Sequence, residues 1–365
     1  MILKKLLKTL ISLIFTVLMV FVGITATAEN RDEKNEWYEQ ALNAYNTQDY
    51  QTALHYFTLL ADAGDPYAQY TTASLCFYGW GTDPNYEKAA EYARMSADQG
   101  IAAAQALLAH MYLQGLGVEQ DIAKAAALNQ LGADGGDAYA QNALGWMYDN
   151  GIGVEQDYVK AKEYYQLAAD QGQPDAQTNL GVLYEDGNGV PQSYETAAKY
   201  YQLAADQGQP YAQTYLGILY ENGSGVPQSY EIAAKYYQLA ADQNLASAQA
   251  WLAQLYEFGN GVEQSSEMSL KYYQLAADQG DPMGQWGMGK AYQFGVGVDV
   301  DYVKAAEYYQ LSADQEDPDG LECLGYLYLE GLGVEQSMEK AIELYELAAE
   351  RGSEEAQRQL LILGQ

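Results

Sequence analysis

Two cysteines and two histidines stand in a chain of 365 residues, and only 18 basic residues balance 50 acidic ones. Each shortage removes a class of function. Cys76 and Cys323 lie toward opposite ends of the chain, so a disulfide framework of the kind that staples small exported domains is not available; both read as small core residues. His55 and His110 are too few and too far apart to build a nucleophile-and-base constellation, and both read as structural side chains. A formal charge of −32 repels nucleic-acid phosphates and anionic lipid, so neither is an expected partner. Acidity on this scale serves solubility first and points second to a basic partner. The apolar run from about Leu10 to Ile24 falls short of the ~20 residues that a membrane span needs.

That run instead has the order of an export signal. Lys4, Lys5 and Lys8 precede it, and Ala26, Thr27 and Ala28 supply small residues at a cleavage site. No cysteine follows directly, so a lipid anchor is not expected. The reading is a signal peptide over residues 1–28, cleaved before Glu29. The mature chain is then periplasmic or secreted, with no stable membrane insertion.

What fills the remainder is self-similarity. A unit of 36 residues recurs without a gap from Pro66, Ala102, Ala138, Pro174, Pro210, Ala246, Pro282 and Pro318. Numbering each unit from 1 turns its columns into physics. Column 8 is always Gly or Ala, as at Ala73, Ala109, Gly145 and Gly217, and column 3 is Ala or Gly, which allows close helix approach. Columns 7, 8 and 11 follow a helical period, with Leu144, Leu180 and Leu216 in the first and Tyr148, Tyr184 and Tyr220 in the last; they are the expected core stripe. Column 14 is Gly in every unit, from Gly79 to Gly331, where a helix closes at positive φ. A second Gly in column 16 and usually Val in column 17 form a short loop. Column 20 then supplies a capping side chain each time: Asn85, Asp121, Asp157, Ser193, Ser229, Ser265, Asp301 and Ser337. A second helix starts at the next residue, with small residues at columns 24 and 32 and Tyr at columns 27 and 28 on its buried side.

Residues 29–65 read as one more helix pair with a shorter loop, residues 66–353 as the eight repeats, and residues 354–365 as a closing helix. The expected fold is all-α, a right-handed α-solenoid of helix-turn-helix repeats.

The unit from Ala140 to Gly172 carries Leu144, Gly145, Tyr148, Gly151, Gly153, Val154, Lys160, Ala161, Tyr164, Tyr165, Ala168 and Ala169. In these residues the chain resembles the Sel1-like repeat family, a branch of the tetratricopeptide superfamily. The resemblance runs from about Tyr67 to Gly352. It implies an adaptor for protein complexes in signalling or envelope processes, or in host contact, and names no partner. One exported subgroup, cysteine-rich Helicobacter proteins, is linked to penicillin binding and weak β-lactamase activity. An envelope enzyme or penicillin-binding protein on the same repeat is therefore the alternative. This chain departs from that subgroup in having no paired cysteine in any unit.

Chemistry-bearing motifs are scarce. Gly115 and Gly117 hint at a nucleotide loop, but no strand precedes them. Asp299 and Asp301 suggest calcium ligands, but a calcium loop needs more carboxylates and a closing Glu, and Asp301 is already a cap. No catalytic residue, cofactor or metal is expected.

The resemblance to the tetratricopeptide superfamily implies an inner face lined by columns 2, 5, 9, 12 and 13 of the first helices. These columns vary most here, with both ends of the row apolar or aromatic and the middle acidic. The expected protein-binding residues are Asp149, Glu185, Glu221 and Glu257 as an acidic row, with Trp146 and Trp286 as aromatic anchors for a basic or amphipathic polypeptide. A second candidate surface is the loop row of column 15, with Trp80, Leu116, Ile152, Val296 and Leu332.

Overall fold

The computed structural model describes residues 28–364; the expected export signal lies outside the described residues except for Ala28, which opens the first helix. Nineteen helices and no strand occur among the described residues, in two compact units divided between Gln192 and Ser193. The first unit pairs α1 (Ala28–Asn46) with α2 (Tyr50–Asp62), α3 (Pro66–Tyr78) with α4 (Tyr86–Asp98), α5 (Ala102–Gln114) with α6 (Ile122–Asp134), and α7 (Ala138–Asn150) with α8 (Tyr158–Asp170). It ends with α9 (Pro174–Asp186). The second unit opens with α10 (Tyr194–Asp206) and pairs α11 (Pro210–Asn222) with α12 (Tyr230–Ala241), α13 (Ala246–Phe258) with α14 (Ser266–Ala277), α15 (Pro282–Phe294) with α16 (Tyr302–Ala313), and α17 (Pro318–Glu330) with α18 (Met338–Glu350). α19 (Glu354–Ile362) follows.

Local chemistry sets every boundary of these hairpins. Each first helix of the eight repeats ends on a left-handed Gly, such as Gly115 at φ 70°, whose N–H returns to the carbonyl of Met111. Each second helix begins after a side-chain cap, as where Asp157 accepts from the N–H groups of Val159 and Lys160, or Ser229 from Ile232. Gly117 shows why column 16 tolerates nothing else: its φ is 66°, and a Cβ there would stand 2.1 Å from the Tyr86 carbonyl oxygen. The loop of one repeat thus rests on the backbone that opens the preceding second helix.

The core differs from the sequence expectation in one column. Column 7 is buried as expected, with Leu144, Leu180 and Leu216 at 0–1% exposure. Column 11 is not fully buried. Its tyrosines sit half-exposed at the edge of the hairpin, stacked on column 27, as in Tyr148 on Tyr164 at 5.8 Å and Tyr256 on Tyr272 at 5.9 Å. The fully buried position is column 10, where Met111, Met147, Leu183, Leu219 and Leu255 lie. Each such side chain stabilises by about 1.5–3 kcal/mol.

The largest core groups are the column 28 tyrosines, Tyr165, Tyr237, Tyr309 and Tyr345 among them. Each lies flat on the column 8 glycine of its own hairpin. A Cβ at Gly145 would meet the Tyr165 ring at 2.6 Å, one at Gly217 the Tyr237 ring at 2.5 Å, and one at Gly289 the Tyr309 ring at 2.5 Å. Column 8 is therefore small because a ring occupies its space. The exception proves mechanical: where column 8 is Ala253, the Tyr273 ring lies against Gly287 of the next repeat, 2.4 Å from where a Cβ would be.

Buried glutamines tie neighbouring repeats together. Gln141 Nε2 donates to the Ala133 carbonyl of the preceding repeat at 3.3 Å, and its Oε1 accepts from Gln171 at 2.7 Å. Gln249 makes the same pair of bonds, to Ala241 and from Gln279.

Candidate protein-binding face

In the first unit, α3, α5 and α7 present columns 2, 5, 9, 12 and 13 to a common groove of about 660 Å³. One wall is aromatic. Phe77 meets His110 edge-on at 5.7 Å and Tyr78 at 5.0 Å, and Tyr78 stacks on Trp80 at 5.3 Å. Trp80 in turn stacks on Tyr50 at 5.3 Å and is 8% exposed, so this member of the loop row is held in the core. Leu116, Ile152, Val296 and Leu332 are half-buried.

The opposite wall carries Tyr139, Asp137 and Asp175. Asp137 caps α7, accepting from the Ala140 N–H at 2.8 Å, and burial raises its pKa while backbone hydrogen bonds pull it back. Burial also raises the Tyr139 phenol, with the nearby Asp175 and Asp137 adding to it. His110 keeps one edge open to solvent, and its partial burial lowers its pKa.

The groove exists because of what its floor lacks. Column 28 is Tyr in the later repeats but Ala93 and Asn129 in the first two. Asn129 lies on α6 at 2% exposure and lines the groove. Its Nδ2 donates to the Met147 sulfur at 3.5 Å, and its Oδ1 is buried with no hydrogen-bond partner. Thioether sulfur can only accept, which fixes the donor side of the amide on Met147 and leaves the carbonyl as its unpaired end. An acceptor left this way costs about 1–3 kcal/mol.

The six residues singled out in the sequence are divided three to each unit. In the first, Trp146 is exposed on α7, one turn before Asp149. Asp149 is half-buried and accepts from the Tyr165 hydroxyl at 3.1 Å; burial raises its pKa, and the tyrosine bond pulls it back. Glu185 occupies the equivalent place on α9. In the second, Glu221 accepts from the Tyr237 hydroxyl at 2.7 Å, and burial raises its pKa. Glu257 accepts from Tyr273 at 3.0 Å and pairs with Lys290 at 2.6 Å. The structure brings Glu257 and Trp286 together through that lysine, whose Nζ lies 4.6 Å from the Trp286 ring centroid. Trp286 is half-buried against Cys323, whose thiol is pushed up to about 11, chiefly by burial. Asp149, Glu221 and Glu257 of this row thus serve first as acceptors for buried tyrosines.

Sequence reasoning missed the groove's floor and acidic wall. The available signal was the loss of Tyr from column 28 in two consecutive repeats. It also missed Lys290 as the cation that enters the acidic row. The suggested calcium residue Asp301 caps α16, accepting from the N–H groups of Val303 and Lys304. Among the described residues no helix is long and apolar enough to cross a membrane.

The Sel1 repeat pattern matches residues 47–65, then 66–101, 102–137, 138–173, 174–209, 210–245, 246–281 and 282–317, and finally 324–353. Among solved structures, the chain is similar to a protective antigen present in uropathogenic Escherichia coli strains displaying an SLR fold, at 34% identity and TM-score 0.65, over 84% of this chain and 66% of that one. It is also similar to a Sel1 repeat protein from Oxalobacter formigenes, at 32% identity and TM-score 0.57, over 84% of this chain and 89% of that one. No curated protein resembles the chain closely enough to be matched to it. With nearly all of its length after residue 46 covered by the repeat pattern, the chain belongs to the Sel1 repeat family.

Proposed function

We propose that this protein is an exported, non-catalytic scaffold that holds a partner protein or peptide on the face made by its first helices, in an envelope process or in host contact. Sel1 repeat proteins are generally protein-interaction scaffolds. The observation that carries the reading for this chain is the groove of the first unit, an open aromatic surface built from the columns that vary between repeats, on a scaffold whose other columns hardly vary. Export rests on the order of basic, apolar and small residues over 1–28.

The six sequence-derived residues contribute unequally in this reading. Trp146 is the exposed aromatic anchor, and Trp286 lies half-covered by Lys290. Asp149, Glu185, Glu221 and Glu257 supply negative field, which speeds encounter with a basic or amphipathic segment and weakens within a Debye length of about 8 Å at physiological salt.

The test uses the full chain expressed in its own cell. The exported pool is recovered and its amino terminus read, with a start at Glu29 expected. A partner retained on this material is identified, purified and titrated against wild type, against Asp149→Asn with Glu185→Gln, Glu221→Gln and Glu257→Gln, and against Trp146→Ala with Trp286→Ala. The acid variant should associate more slowly at low salt, and the tryptophan variant should dissociate faster, by about 2 kcal/mol if the anchors are hot spots. Unchanged binding by both variants, or a chain that keeps Met1 and stays in the cytoplasm, overturns the reading.

A further inference from the structure

We propose that the groove of the first unit is a receptor for an arginine side chain of the partner polypeptide, with the Asn129 carbonyl as the acceptor at its floor. The proposal rests on the scaffold reading above and names what that face selects.

Three features of the groove converge on this chemistry. Asn129 lines the groove at 2% exposure, and its Oδ1 is buried with no partner, so a desolvated acceptor that only a donor can satisfy lies at the floor. Asp137 and Asp175 stand on the wall above it, so the donor that fits is cationic. Asp137 caps α7 through Oδ1, which accepts from the Ala140 N–H at 2.8 Å. Phe77, Tyr78 and Tyr139 line the approach and offer ring faces on which a flat cation and an apolar stem can lie.

Guanidinium answers all three requirements together. It is planar, always charged, and carries five N–H donors in a fixed fork, so it can satisfy an amide carbonyl with one edge and keep donors for a carboxylate. An ammonium is a compact, strongly hydrated point that loses more water on entering an aromatic groove. A purely apolar side chain would leave Oδ1 unsatisfied. The chain's charge of −32 favours a cationic partner over long range as well.

The groove is also specific to this place in the chain. Later repeats fill the same position with tyrosine, as with Tyr165 and Tyr237, and supply Asp149 and Glu221 in column 12 to accept the phenol. Here column 12 is Phe77 and Leu113, and the floor acceptor has no phenol above it.

The experiment measures binding of one labelled, end-capped peptide, Gly-Leu-Arg-Tyr-Gly, to the full chain by fluorescence anisotropy. Companion peptides carry citrulline, Lys or norleucine in place of Arg. The Arg peptide should bind at least tenfold more tightly than the citrulline and norleucine peptides, and more tightly than Lys. Ethylguanidinium alone should compete only weakly, which separates a polypeptide occupant from a free small cation.

Two variants locate the site. Asn129→Leu removes the floor acceptor, and Asp137→Asn keeps a capping side chain while removing the wall charge. Each should erase most of the Arg preference. A third, Ala109→Gly with Leu113→Glu and Asn129→Tyr, rebuilds the packed pattern of the later repeats and should close the groove while leaving the helical circular dichroism unchanged. Equal binding of Arg and citrulline peptides, no binding of any peptide at millimolar concentration, or full Arg preference in the Asn129→Leu and closed-groove variants overturns the proposal. Self-association of the wild type that the closed-groove variant abolishes would give the groove to a second copy and overturns it too. If the captured partner binds Asn129→Leu with unchanged affinity, the scaffold reading stands and this inference alone fails.

Discussion

The repeats that begin at Pro66 and Ala102 share their closing glycines and second-helix caps with those of the second unit, yet the former enclose a groove and the latter a filled core. The difference between these two repeats and the one at Pro210 lies in three columns, while the repeat at Ala246 keeps Tyr273 with Ala253 by setting the ring against Gly287. With Tyr237 in column 28, column 8 must be Gly217 to admit the ring and column 12 supplies Glu221 to accept the hydroxyl. With Asn129 in column 28, column 8 can be Ala109, and column 12 becomes apolar as Leu113. The repeat at Pro318 shows the limits of the coupling. A Cβ on its Gly325 would meet the Tyr345 ring at 3.1 Å, a looser fit than at Gly217, and column 12 is Leu329. One residue on the second helix thus decides whether a hairpin is packed solid or leaves an open groove, and steric and hydrogen-bonding needs carry that decision to the first helix.

The sharpest way to break this comparison is to overfill column 8 in each setting. In the second unit the Tyr237 ring is held between Gly217 and Trp251, whose ring centroid is 6.1 Å away, so it has no room to retreat. Gly217→Leu should therefore cost at the upper end of the about 1–3 kcal/mol typical of overpacking. Ala109→Leu in the first unit is buried too, but column 28 of its hairpin is Asn129 in place of a tyrosine ring, and it should cost less than half as much. Thermal and urea unfolding of the two variants measure the difference. Equal losses would show that column 28 does not govern the space at column 8.

A smaller effect tests the hydrogen-bonding half of the argument. Tyr237→Phe removes a donor from Glu221, which is half-exposed and can turn to water, so the loss should be about 1 kcal/mol. Tyr309→Phe removes the donor from Gln293, which is only 8% exposed and is left with a buried acceptor. The second substitution should cost about 1 kcal/mol more than the first. Equilibrium unfolding of the two single variants makes the comparison, and a reversed order would detach column 12 from the tyrosine above it.

What could be read in the sequence follows the range of the forces involved. The glycines of column 14 and the caps of column 20 act within four residues of themselves, so Gly79, Asp121 and Ser229 declare the helix ends without any packing. First-helix caps were harder. Gln173 and Gln209 cap by their side-chain oxygens, a role for which glutamine gives little warning. Invariance also points to Tyr in column 11 over column 10, where Leu183, Met147 and Ala291 alternate. Burial selects apolar volume there, not identity. The acidic row was visible as a pattern, but its engagement with Tyr165, Tyr237 and Tyr273 joins residues sixteen apart across a hairpin, and only packing reveals it. The groove was written in Ala93 and Asn129 as a departure from a repeat, and its meaning required knowing what the missing ring would have filled.

The smallest expected effect concerns pH, and it again separates the two units. Burial raises the carboxyl pKa of Asp137 and Asp149 in the first unit and of Glu221, Asp281, Asp319 and Glu322 in the second. A group with a raised folded-state pKa binds more protons folded than unfolded. Its stabilising contribution is present at low pH and is lost as pH rises through the folded value. His110 has the opposite sign: its pKa is lowered by burial, so the unfolded chain binds more protons, and stability falls as pH drops through its ordinary value near 6.5. The exposed caps and pairs with lowered pKa, Asp49, Asp121 and Glu195, keep their contribution until pH falls below the ordinary carboxylate range. As pH falls from neutrality toward the ordinary carboxylate range, the raised carboxyls and the relief of self-repulsion at a charge of −32 act in the same direction, and the melting temperature should rise by a few degrees. The second unit holds four of the raised carboxyls and no histidine, so its amides should gain more protection from hydrogen exchange than those of α5 to α7, where His110 works against the trend. Slower exchange gained equally by both units would mean that net charge alone controls the response, and a fall in melting temperature would mean that the buried carboxyls stay ionised without strain.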